Sequence, residues 1–94
     1  MANSQKSILV LARRDHGEGM RVAAGLTIFG HHVRLVFMNG PVAETAENAE
    51  LAELLELSDI APETTSPEMA GELPLLDAAA LCAAIAASDH VINL

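Results

Sequence analysis

The stretch Ser7-Ile8-Leu9-Val10-Leu11-Ala12, followed by Arg13-Arg14-Asp15-His16-Gly17-Glu18-Gly19, decides how this chain is read. From Ile8 to Ala12 every residue is apolar, with no polar alternation. A strand with one wet face alternates, whereas an unbroken apolar run needs cover on both faces, as in a parallel sheet flanked by helices. The next seven residues are polar and glycine-containing, and they read as a loop. From about residue 18 to 29, Met20, Ala23, Ala24, Leu26 and Ile28 fit a helix, and Gly30 fits its C-terminal stop. His31-His32-Val33-Arg34-Leu35-Val36-Phe37 then reads as a second strand, closed by the turn Asn39-Gly40-Pro41.

Further along, residues 44–57 read as a helix with Glu44, Glu47, Glu50, Glu53 and Glu56 on one drifting stripe. No lysine intervenes, so the stripe needs tertiary packing or a cationic neighbour. Residues 58–74 contain Pro62, Pro67, Gly71 and Pro74 and read as a long connection with at most a short edge strand. Asp77 is placed to cap a last helix over 78–87, which is apolar all round and therefore expected to be buried. His90-Val91-Ile92-Asn93-Leu94 reads as the final strand. The order β-α-β-α-loop-α-β predicts one α/β domain over residues 1–94. Its expected form is a small three-layer α/β/α fold with a mostly parallel sheet and flavodoxin-like topology.

Composition sets the outer limits. Ninety-four residues, 51% of them hydrophobic, make one domain with a modest core and exclude a disordered chain. The only aromatic residues are Phe29 and Phe37, and the net charge is −8. Both features argue against nucleic-acid binding, which needs a basic face and stacking platforms. All five basic residues lie within residues 1–34, beside only Asp15 and Glu18, whereas residues 35–94 carry eleven acids and no base. The single cysteine, Cys82, allows no intrachain disulfide and no cysteine-based zinc site, and suits a reducing cytoplasm. The polar stretch 1–7 and the short run after it predict neither a signal segment nor a membrane span.

Ligands of parallel sheets sit at the carboxyl ends of the strands. Here those ends are the 13–19 loop and the turn after the second strand. Arg13, Arg14 and His16 precede a helix start that favours an anion, Gly17 and Gly19 let backbone come close, and Asn39 and Gly40 stand at the second strand's end. Gly-Glu-Gly matches no phosphate-binding fingerprint, and Glu18 repels an anion. Two readings stay open: a solvated loop with a glycine turn, or a small-anion or nucleotide site. Cys82 in mid-helix, without charged neighbours, reads as a small core residue, with a nucleophile as the competing reading. His31 and His32 are adjacent and point apart on a strand, and His90 begins another, so no metal site is expected. No Ser-His-Asp order is readable, and no cofactor is implied.

The helix ending Leu26-Thr27-Ile28-Phe29-Gly30, the strand from His31 to Phe37, the turn Asn39-Gly40-Pro41-Val42 and the closing Ala87-Ser88-Asp89-His90-Val91-Ile92 form a familiar series. It resembles the DsrE/DsrF/DsrH-like (TusBCD-like) family, with Asn for Asp and an inserted Pro in the turn. The resemblance implies homo-oligomers or hetero-oligomers with related subunits, often trimers or hexamers, and in some members sulfur transfer on a loop cysteine. That loop corresponds to residues 60–76 here, which hold no cysteine, and Cys82 lies beyond it. The resemblance therefore implies a non-catalytic oligomeric module near sulfur relay, with anion binding or a Cys82 sulfurtransferase as alternatives.

Overall fold

In the computed structural model, residues 5–94 are described; positions 1–4 of the polar N-terminal stretch lie outside them. The opening run forms β1 (Ser7–Ala12), and the loop after it feeds α1 (His16–Ile28). Asp15 is the cap that starts this helix, its carboxylate accepting from the Glu18 N–H at 3.0 Å. Gly30 ends the turn behind it with φ +86°, a conformation open to glycine, and the chain enters β2 (His32–Phe37). Next come α2 (Ala46–Leu57) and β3 (Glu63–Thr64), followed by a single 3₁₀ turn at Pro67–Met69. The chain closes with α3 (Ala78–Ala87) and β4 (His90–Asn93). Helix α2 starts two residues later than its glutamates suggest, because Thr45 caps it by accepting from the Asn48 N–H.

The four strands form one sheet in the order β3-β2-β1-β4, and every pairing is parallel. Successive β1 residues serve opposite faces. Ile8, Val10 and Ala12 pack with Met20 and Ala23 of α1 and Leu55 of α2, while Leu9 and Leu11 pack with Val36 and with Ala84 of α3. Both faces are covered, so the fold is a three-layer α/β/α sandwich, and the unbroken apolar run has its physical reason. Steps from β1 to β2 to β3 move outward across the sheet in one direction, and α3 then carries the chain back to place β4 on the other side of β1. The sheet thus reverses direction between β1 and β4.

The acidic stripe of α2 finds its cation across the helix interface: Arg21 of α1 pairs with Glu18 and lies 3.5 Å from Glu47. Strand β3 is only two residues long. It is held by a bidentate pair from Arg34 to Glu63 (3.1 and 2.9 Å) and by the fully buried Thr64 hydroxyl, which donates to the Phe37 carbonyl. No helix among the described residues is long and apolar enough to cross a membrane.

One expectation is corrected. Cys82 is exposed, not a core residue. Seven of the ten α3 residues are exposed, and only Ala84 is buried. Among the described residues helix α3 is alone on its face of the sheet, so one side of it meets the sheet and no other described layer covers its outer side.

Candidate functional site

The carboxyl ends of β1, β2 and β4 meet at one edge, and main-chain bonds tie their loops together. The N–H groups of Arg13, Arg14 and Asp15 converge on the Leu94 backbone oxygen at 3.2, 2.8 and 3.3 Å, and the Leu94 N–H donates to Leu11. This clamp fixes the loop after β1 against the end of β4. On the other side, the Asn39 side-chain amide donates to the Arg13 carbonyl at 2.9 Å, and the Gly40 N–H donates to the buried Ser66 hydroxyl at 2.8 Å. Asn39 and Gly40 both have positive φ (64° and 112°), which turns the β2 loop back toward β1.

The residues singled out in the sequence divide into two groups. Arg13 and Arg14 come together with Asn93 and Leu94 around an open depression of about 230 Å³, seated where the sheet reverses direction. That position is where open α/β sheets bind ligands. His16, Gly17 and Gly19 have packing duties instead. His16 lies edge-on against Phe37, ring centres 5.4 Å apart, and its Nε2 is 2.8 Å from the Met38 carbonyl. A carbonyl only accepts, so the contact requires the proton on Nε2. A Cβ on Gly17 would meet Asn48 and Leu51 of α2, and one on Gly19 would stand 2.5 Å from the Ala12 Cβ. Gly19 lets α1 lie close on β1, and Gly17 lets α1 lie close on α2. Asn39 and Gly40 shape the neighbouring turn and do not line the depression.

The charges around this edge are unevenly satisfied. Arg21 and Arg34 are paired with glutamates, but neither Arg13 nor Arg14 forms an ion pair among the described residues. The first turn of α1 already contains Asp15 and Glu18, so any attraction for an anion rests on the two arginines and not on the helix terminus. Asn93 and Leu94 escaped the sequence reading because their role depends on β4 lying beside β1. A polar Asn directly after the apolar pair Val91-Ile92 is the one signal present in the sequence.

Elsewhere, the histidines do not gather. His31 Nδ1 accepts from the Lys6 N–H, while His32 and His90 stand opposite successive β1 residues, Ser7 and Ile8, and so leave opposite faces of the sheet. Among the described residues no group of three His, Cys, Asp or Glu side chains could hold a metal ion. Cys82 makes no hydrogen bond among the described residues, and residues 78–87 carry no charge to activate its thiol. No family model, curated protein or solved structure matches the chain.

Proposed function

We propose that this chain is a non-catalytic assembly module that associates with other copies of itself through α3 and the neighbouring edge of β4. The observation that supports this reading is the exposed apolar surface of α3. Cys82, Ala83, Ile85 and Ala86 face outward, and Val91 of β4 is exposed beside them. A surface helix of a monomer ordinarily carries a polar face, and this one has none between Asp77 and Ser88.

Charge supports a second copy as the occupant. The chain carries −8, and the glutamates of α2, on the opposite layer, repel those of a second copy. Residues 78–87 are free of charge and form the surface where two copies meet without that cost. The sheet edge points the same way. Strand β3 is short and bracketed by Pro62 and Pro67, whereas β4 offers four residues with no proline, lysine or bulge to blunt its open edge. The resemblance to DsrE/DsrF/DsrH-like proteins supports the same role and favours a trimer or hexamer; a place near sulfur relay rests on that resemblance alone, and a cytoplasmic one on the single cysteine.

Sedimentation velocity on the Ile85→Glu/Ala86→Glu variant tests the surface. Both side chains are exposed, so the fold is expected to survive while the glutamates desolvate unfavourably in an interface. The assembly is expected to fall to monomer; a variant that sediments like the unmodified oligomer would contradict α3 as the contact.

A further inference from the structure

We propose that the groove beside the C-terminal half of α2 binds a basic amphipathic helix of a partner protein. The groove carries the inference, and the charges around it choose the occupant. Its deepest part is a cavity of about 240 Å³ lined by Met20, Phe37, Leu55, Ile60 and Leu73. The first four are core residues, so the floor of the groove is the core itself. Two shallower hollows adjoin it, one at Asp59 and Pro62, the other at Glu53 and Leu57, and Glu56 lines all three. Leu57 is 86% exposed. Water in an apolar hollow has few hydrogen-bond partners, so an entering apolar side chain displaces it favourably.

Glu53, Glu56 and Asp59 follow one another at three-residue steps along the groove, and none forms an ion pair among the described residues. Arg21 answers the acidic stripe only at Glu47, near the other end of the helix. The last turn of α2 has no basic residue, so its dipole adds to the negative potential of the acids. Carboxylates beside an apolar hollow suit lysine or arginine beside leucine-like anchors, the arrangement on one face of a basic amphipathic helix. The same acids repel nucleic acid and anionic lipid. No segment of residues 1–94 supplies that pattern. Residues 35–94 have no base, Arg21 and Arg34 are paired with glutamates, and Lys6, Arg13 and Arg14 flank the buried β1. The occupant is therefore another protein. The groove lies on the opposite layer from α3, so this surface and the proposed assembly are tested apart.

Fluorescence anisotropy of the full chain with a labelled leucine–lysine peptide of about four helical turns, at physiological salt, tests this. Saturable binding is expected, about tenfold tighter than that of a peptide of the same composition with its leucines scattered around the helix. Ala52→Glu places a charge on an exposed position that lines the deep cavity. It adds attraction for cations but blocks the apolar hollow, and is expected to weaken binding about tenfold with the circular dichroism unchanged. Glu53→Gln/Glu56→Gln is expected to weaken it by a similar factor. Glu44→Gln/Glu68→Gln, an equal loss of charge outside the groove, is expected to change it by less than about twofold. No saturable binding up to about 1 mM peptide, binding by Ala52→Glu as tight as the wild type, or equal loss in the two glutamine pairs would overturn the proposal. A peptide-free Ala52→Glu sample that sediments as a smaller assembly than the wild type would give the groove to a second copy and overturn it as well.

Discussion

Gly19 shows how a single residue can carry two meanings. Between a strand and a helix it reads as backbone freedom for a ligand, but here it is a contact: an added Cβ would stand 2.5 Å from the Ala12 Cβ. Gly19→Ala is therefore expected to force α1 off β1 and to destabilise the fold by about 1–3 kcal/mol, read as a lowered urea midpoint. An unchanged midpoint would mean that the helix is not seated on Ala12 as described. The two meanings are indistinguishable in sequence because glycine is chosen for what it lacks, and only the neighbour decides which lack matters. His16 was equally ambiguous: its ring is spent on Phe37 and on the Met38 carbonyl. Arg13 and Arg14 were legible as a charged pair after a strand, because nothing apolar could place them inside. Thr64, fully buried and bonded to Phe37 and Ser66, was invisible to a reading that finds cores by apolar pattern.

At the scale of elements, β1 was the most legible because covering both faces of a strand leaves one signature, an unbroken apolar run. Strand β3 was the least legible. Its two residues are strand only because Val36 and Phe37 pair with them, and no local propensity records that. The helix starts depend on caps, and the caps were partly readable: Asp77 does accept from the Ala80 N–H at 2.8 Å, as its place before an alanine run suggested. Asp77→Ala is expected to cost about 0.5–2 kcal/mol, measured by chemical denaturation. The loss should be felt mainly in α3, whose single buried residue, Ala84, gives it little tertiary support. In the dissociated Ile85→Glu/Ala86→Glu variant, faster amide exchange in residues 78–87 than in α1 is expected as the local sign of the same weakness.

For the whole molecule, the layers are legible in the sequence, and so is the shortage of cover for the apolar run 78–87. An all-apolar helix implies burial, which so short a chain leaves incomplete: Cys82, a core residue by its apolar surroundings in the sequence, is exposed in a single copy. The pattern records how much surface must be hidden, but not whether the same chain or another one hides it. Charge is divided on the same plan, with acids crowding α2, two arginines that form no ion pair among the described residues at the β1–β4 end, and no charge across residues 78–87. In the proposed assembly, α3 is completed by other copies. Light scattering of the unmodified chain after size exclusion, over a range of micromolar concentrations, tests it most directly. A discrete mass at a whole multiple of 9.9 kDa, three or more copies, is expected. A steady 9.9 kDa across that range would contradict it.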